Sequence, residues 1–420
     1  MDAGALSANR WPIACVNDVR AASGRPVPCC PTPCYPARPM RDPALLAECA
    51  ALKRAIEPFS TLRSLRASPQ WPELGQRLDQ LLANVRRHEP PAPPPPSPDP
   101  ERIKVVHWNI EHGNWYTQVE QALTRHRVLR DADLLLFNEI DLGMARAGNR
   151  DVTADLAAAL NRHSVWAPLF LETTLGRDDD PLTAGGSENQ ESLFGLAILS
   201  RWPIGEVRRI ELPSPERYQF EVERMLGRHI GLVVVIERPG APFVAVSAHL
   251  EVHRTRAHRA AQARTLLTQL RDEQRPIIFA GDFNTHTFDR GRAWDPLFGA
   301  SVLILAPQHA LEQRLLHPDH GPTRERLFDE LEREGFDWKR YVDHEPTLQL
   351  RFDRLDELRG FPDFVQHAVR ATLHWAERRA RLRLDWFAGR GWKGGRGMTV
   401  LGLNGTGKAS DHAPIVAWFE

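Results

Sequence analysis

The chain predicts an α/β fold of packed mixed sheets with helices outside them, and three observations lead there. After Pro100, short β-branched or leucine-rich runs alternate with amphipathic segments of helical period. Two of these runs, 230–236 and 243–249, flank Glu237-Arg238-Pro239-Gly240, a turn signal that predicts an antiparallel hairpin. Several runs end in polar residues, as in Phe279-Ala280-Gly281-Asp282-Phe283-Asn284, and α/β folds place their chemistry at strand ends. Hairpins and crossovers together argue against a purely parallel, doubly wound sheet.

Taken in order, residues 1–41 read as a disordered tail, rich in proline and holding Cys15, Cys29, Cys30 and Cys34. No second Cys/His pair follows at zinc-site spacing, so the thiols read as incidental. Asp42-Pro43 is an N-cap with proline at the first helical position. Leu45, Cys49, Leu52 and Ile56 then share one helical face, and Leu74, Leu78, Leu81 and Val85 another. This helical pair, 42–88, is a possible docking element for a protein partner. The Pro-rich run 89–100 reads as a stiff linker, the clearest boundary in the chain. Residues 101–420 then form the expected catalytic domain.

Within it, strands are expected at 103–109, 133–139, 194–200, 230–236, 243–249, 277–281, 382–388 and 414–419. Helices are expected at 117–130, 150–161 and 254–270. Between about 300 and 381 the pattern turns helical, with Phe364, Val365, Ala368, Val369, Thr372, Leu373 and Ala376 on one stripe. This helical insert interrupts two core strands, where it either overhangs the site or adds packing outside it.

Charge is balanced, 54 basic against 54 acidic residues, so no global field favours a nucleic-acid backbone. No run reaches the ~18 apolar residues of a membrane helix. The start has no basic segment followed by an apolar core, so a cytoplasmic location is expected.

The polar strand ends suggest metal-assisted attack on phosphorus. A phosphodiester repels nucleophiles and has a poor leaving group; a hard cation held by one or two carboxylates answers both difficulties. Glu139, closing the run from Asp133, suits such a ligand. Asp282 suits a base or water positioner, and Asn284 and Asn109 suit donors to the water or the phosphate. His249 and His412 suit donors to phosphate oxygens as charge builds. For His249, Glu191 is a weak candidate partner and Glu251, expected to be exposed, an equal rival.

The order Trp108-Asn109, Asn138-Glu139-Ile140-Asp141, Gly195 to Arg201, Ser247-Ala248-His249-Leu250, Gly281-Asp282-Phe283-Asn284, Leu384-Asp385-Trp386-Phe387 and Ser410-Asp411-His412 resembles the endonuclease/exonuclease/phosphatase superfamily, the DNase I-like fold. The resemblance spans 103–420. It implies a four-layer α-β-β-α sandwich of two mixed sheets, here with a helical insert and an N-terminal helical extension. It also implies Mg²⁺ or Mn²⁺ as cofactor, with Glu139, Asn109 and Asp411 on the metal side. Asp282 and Asn284 fall on the base and water pair, His249 on a phosphate-supporting histidine, and Asp385 on the carboxylate that orients His412.

The superfamily does not set the substrate. Its DNA-repair members carry Gln-Glu-Thr-Lys where this chain has Asn138-Glu139-Ile140-Asp141, which lowers an abasic-site role. Arg146 to Asp151 resembles a broad set of bacterial hydrolases in the superfamily. A nuclease or generic phosphodiesterase therefore leads. A sphingomyelinase-like lipid phosphodiesterase or a phosphomonoesterase is the alternative, so the substrate is a nucleic acid, a phospholipid or a small phosphoester. A catalytically silent scaffold is the competing class, and the full complement of metal and histidine residues argues against it. Gly402 to Lys408 has the Walker A spacing, but Ala409 replaces the hydroxyl and no helix can follow, so it reads as a loop delivering Asp411 and His412.

Overall fold

The computed structural model describes residues 41–176, 180–285, 302, 305–349, 375, 377–405 and 408–420. The cysteines of the N-terminal tail and the stripe from Phe364 to Ala376 lie outside them. Two sheets pack face to face. Their strands are β1 (Arg86–His88), β2 (Ile103–His112), β3 (Leu134–Leu142), β4 (His163–Glu172), β5 (Leu193–Ser200), β6 (Ile204–Glu211), β7 (Met225–Gly227), β8 (Ile230–Ile236), β9 (Phe243–His249) and β10 (Ile277–Asp282), followed by β11 (Leu348–Gln349), β12 (Arg381–Leu382), β13 (Asp385–Arg390), β14 (Gly395–Thr399) and β15 (Ile415–Phe419). The first sheet runs β1-β4-β5-β3-β2-β15-β14 with β7 beside β4, and the second runs β13-β10-β9-β8-β6. Both are mixed: β2 with β3 and β9 with β10 are parallel, and the expected β8–β9 hairpin is antiparallel.

Strand alternation explains the layers. On β2, Ile103 and Val105 face the other sheet while Val106, Trp108 and Ile110 face outward; on β10, Ile278 and Ala280 face inward and Ile277 and Phe279 outward. Inward residues of both sheets form one core. The outer face of the second sheet is covered by the helices Arg256–Thr268 and Leu327–Arg333. The outer face of the first carries Tyr116–Arg125, Val152–Leu160 and the N-terminal helices α1 (Pro43–Ile56), α2 (Leu62–Arg66) and α3 (Trp71–Ala83). This is the four-layer sandwich.

The N-terminal part differs from expectation. From Met40 onward the chain is one compact unit, so the Pro-rich stretch does not divide the fold. Its carbonyls are held to the sheet margin, Pro95 and Pro96 by Arg201 and Pro100 by Arg238. Leu45, Cys49, Leu52, Ile56, Leu74, Leu78 and Leu81 are buried in the cluster that covers the first sheet. The apolar faces that suggested a docking element are thus filled by this chain. The second helix stops at Ala83, and Val85 packs against the inter-sheet core instead.

Two further departures have local causes. The expected strand 382–388 breaks into β12 and β13 because Leu384 N–H turns aside to Thr347 Oγ1 at 3.0 Å. Strand β4 is missing from the expected set because Pro168 interrupts its run; the proline sits where its pairing with β5 shifts register.

Candidate active site

At one end of the sandwich the inward-facing rows turn from apolar to polar. Continuing the alternation, β2 presents His107 and Asn109, β3 presents Asn138, β9 presents Ser247 and His249, and β10 ends on Asp282. In the sheet register Asp282 lies opposite His249 on one side and Asp385 on the other. Gly281 is required there, since a Cβ would stand 1.9 Å from the carbonyl oxygen of Ala248. Glu139 immediately follows inward-facing Asn138 and by simple alternation would face out. A register shift between Phe137 and Ile140, with Glu139 at φ 50°, turns it to the site.

The side chains converge. Asn109 Nδ2 donates to Glu139 Oε1 at 2.9 Å and to Asp282 Oδ2 at 3.2 Å, joining the expected metal ligand to the expected base. His249 Nε2 lies 3.8 Å from Glu139 Oε1 and 3.7 Å from Asp282 Oδ2. His412 Nε2 is 3.8 Å from the same oxygen of Asp282, while its Nδ1 donates to Asp385 Oδ2 at 2.8 Å. Asp282 is further held by its own N–H, which donates to Asn138 Oδ1 at 2.7 Å.

Two further expected residues, Asn284 and Asp411, are each engaged in bonds of their own. Asn284 N–H donates to Asp282 Oδ1 at 2.9 Å and its Nδ2 to the carbonyl of Leu250 at 2.9 Å. It braces Asp282 and the strand exit rather than facing the Glu139 side. Asp411 is exposed at the rim and accepts from Ser410 Oγ at 3.2 Å. It remains within electrostatic reach of Glu139. Neither suggested partner of His249 pairs with it. Glu191 is bound by Arg41, and Glu251 is buried, not exposed, accepting from His229 Nε2 at 2.9 Å. His229 Nδ1 in turn donates to the carbonyl of His249 at 3.1 Å. Lys408 folds back onto the carbonyl of Gly402 at 2.7 Å, so the Walker-like loop is a loop.

Several contributors were not anticipated. His107, fully buried, donates through Nε2 to Asp385 Oδ1 at 3.0 Å. Its place two residues before Asn109 on one strand face was the available signal. Ser410 Oγ donates to the carbonyl of Asn109 at 2.7 Å, fixing the loop that carries His412. Thr347, buried at the described end of the insert, receives Leu384 N–H, and neighbouring Leu348 bridges to His412. Arg146 grips Asp141 through two bonds of 2.7 and 3.0 Å and also reaches Glu172 and Asp180.

Electrostatics separates the roles. Burial pushes the Asp282 carboxyl up, and the nearby Asp385 charge adds to this. Burial also opposes charge on Asp385, but His412 and His107 outweigh it and hold that carboxyl far below the usual range. His412 is correspondingly held well above its ordinary value, burial being overcome by Asp385 and Asp411. On the other side, burial and Asp411 raise Glu111 to about 7. Although Asp411 is exposed as a residue, loss of water around its carboxyl, together with Glu139, raises it against the pull of His412. Glu111, Glu139 and Asp411 thus crowd negative charge together, a donor set of hard oxygens that suits a divalent cation. Beside them, the ligand atoms of Asp282, Asp385 and His412 lie within 4.8 Å of one another, but short internal bonds already pair that group. A cavity of about 300 Å³ opens beside Glu139 and His249, walled by Phe170, Phe194, Tyr218 and His253.

A family model described as the endonuclease/exonuclease/phosphatase family matches residues 106–412, from β2 to His412. The chain belongs to the endonuclease/exonuclease/phosphatase family. Members of this family are generally hydrolases of phosphoester bonds and typically depend on a divalent metal. Among solved structures the chain is similar to an endonuclease/exonuclease/phosphatase from Beutenbergia cavernae DSM 12333, at 16% identity over 76% of this chain and 71% of that one, TM-score 0.46. It is similar to the human Nocturnin catalytic domain at 14% identity over 80% and 96%, TM-score 0.41. Sphingomyelinase C from Streptomyces griseocarneus gives 13% over 76% and 99%, TM-score 0.41. No curated protein matches the sequence. Among the described residues, no helix is long and apolar enough to cross a membrane.

Proposed function

We propose that this chain hydrolyses a phosphodiester, using Mg²⁺ or Mn²⁺ held by Glu139 with Asn109 and the rim carboxylates Asp411 and Glu111. A hard cation bound there would neutralise phosphoryl oxygens and the departing alkoxide. The observation that carries the reading is the Asn109 amide, which bonds Glu139 and Asp282 together beside His412 and His249.

Asp282, raised by burial, takes a proton from the attacking water while Asn109 Nδ2 fixes the Asp282 carboxylate. His412, kept protonated by Asp385, donates Nε2–H to a phosphoryl oxygen as charge builds. The 3.8 Å gap between His412 Nε2 and Asp282 Oδ2 is too long for a direct hydrogen bond, so Nε2–H is not spent on that carboxylate. His249 faces the same centre from β9 and supports the phosphate or the leaving oxygen.

The diester is favoured over the monoester by charge. Arg146 is the one arginine or lysine among the described residues lining the adjoining cavity, and Asp141, Glu172 and Asp180 already hold it. His112, raised to about 9 against burial by Asp141 and Glu139, is likewise taken up by carboxylates, so a dianionic monoester would meet that wall with less compensation than a monoanionic diester. The test is turnover of bis-p-nitrophenyl phosphate beside p-nitrophenyl phosphate with Mg²⁺ or Mn²⁺. Diester turnover that stops with chelator supports the reading; monoester turnover alone would replace it with a phosphatase. Nucleic-acid and phospholipid diesters are then compared directly.

A further inference from the structure

Away from this centre, the segment after the helix Gln308–Leu315 carries His317-Pro318-Asp319-His320. Ligand atoms of His317, Asp319 and His320 all lie within 4.8 Å of one another. His344, from the turn before β11, packs its ring 4.3 Å from that of His317 and 5.8 Å from that of His320. Three imidazoles and one carboxylate therefore share a small volume that the phosphoesterase chemistry does not use.

The cluster is held as a site. Asp319 is buried; its Oδ2 accepts from Trp338 Nε1 at 3.2 Å, which turns Oδ1 toward His320 Nδ1 at 3.0 Å and His344 Nδ1 at 3.8 Å. His344 is fixed by donating Nδ1–H to the carbonyl of Leu316 at 3.0 Å. Nδ1 of His317 is shielded from solvent and has no hydrogen-bond partner among the described residues. An unpaired buried ring nitrogen is costly unless something binds it.

We propose that His317, Asp319 and His320 form a second metal site, selective for a borderline cation such as Zn²⁺, with solvent as fourth ligand. Two imidazoles and one carboxylate match zinc, whereas Mg²⁺ prefers an all-oxygen shell. Tetrahedral zinc holds its donors roughly 3.3 Å apart. The cluster, within 4.8 Å, must close by at most about 1.5 Å to reach that spacing, which half-exposed His320 can supply. The ion would lock the 317–320 segment of the insert, which the core already holds through Arg383 N–H donating to the carbonyl of Leu315 at 2.8 Å.

The test is calorimetric titration of ZnCl₂ into the full-length chain, stripped of metal and then saturated with Mg²⁺. Wild type, His317→Ala, His320→Ala and Glu139→Gln are compared, with circular dichroism to confirm folding. His320 is half exposed, so its variant is the one expected to fold without question. One zinc equivalent in wild type and Glu139→Gln, weakened at least tenfold in both histidine variants, supports the site. No zinc equivalent, or one that survives either histidine change, overturns it.

Discussion

Asp385 holds two histidines, one from the loop before β15 and one from β2: His412 through Oδ2 at 2.8 Å and His107 through Oδ1 at 3.0 Å. Both carboxylate oxygens are therefore committed, and His412 is left with one tautomer and one free nitrogen, Nε2, aimed at Asp282. This is how a buried carboxylate makes an acid of its neighbour without acting as one. Asp385→Asn should lower kcat by a factor on the order of 10² to 10⁴. His412 loses the charge that raises its pKa, so its acidic form should disappear at lower pH. The alkaline limb of the pH–rate profile should therefore move toward acid. An unmoved limb would show that His412 is not the group titrating there.

His107 tests the same relationship from behind. His107→Ala leaves Asp385 Oδ1 buried without a donor, which should cost about 1–3 kcal/mol of stability. With Asp385 free to turn, kcat should fall while KM changes little, since His107 touches no substrate. His107→Gln keeps a donor of similar reach and should recover part of both losses. Urea denaturation and steady-state kinetics on the three proteins read this out.

Glu251 gives a pH-dependent stability term away from the candidate metal side. Burial opposes its charge, but the bond from His229 outweighs burial and brings its pKa down to about 2. A carboxylate depressed in the folded state stabilises above its unfolded value, about 4.3, and loses that contribution as pH falls toward 2. Glu251→Gln should therefore destabilise clearly at pH 7 and progressively less between pH 4.3 and 2. Equal destabilisation at pH 7 and pH 3, by urea titration, would contradict the assignment.

The N-terminal helices should behave as part of the catalytic unit. Leu52 and Leu65 are fully buried in the cluster that covers the first sheet, and Lys53 Nζ donates to Ser192 Oγ at 2.8 Å just before β5. Leu65→Ala should cost roughly 2–5 kcal/mol of global stability. The transition should stay single; a separate early transition for residues 42–88 would mean that the helices fold by themselves.

Much of this arrangement could be read from alternation alone. Asp282, His249 and Asp385 sit where a period of two carries an apolar row to its polar end, and register then makes them neighbours. Glu139 was legible as a strand-end carboxylate, but not the bulge that turns it inward, because a register shift leaves no periodic trace. His107 was hidden because a histidine within an apolar run reads as core. Glu251 reads as exposed because its partner, His229, is distant in sequence. The polyproline stretch reads as a linker by composition, yet Arg201 and Arg238 bind its carbonyls to the sheet margin, which composition cannot report. The buried Thr347 reaches Leu384 from 37 positions away, a contact set by the insert's packing.

The proposed mechanism rests on Asp282, bonded through Asn109 to Glu139, activating the nucleophile. The most direct measurement is Mg²⁺-dependent turnover of bis-p-nitrophenyl phosphate by wild type and by Asp282→Asn, with folding checked by circular dichroism. The folded variant should lose at least ~10²-fold in kcat with little change in KM. A folded Asp282→Asn that turns over the diester at the wild-type rate would contradict this role.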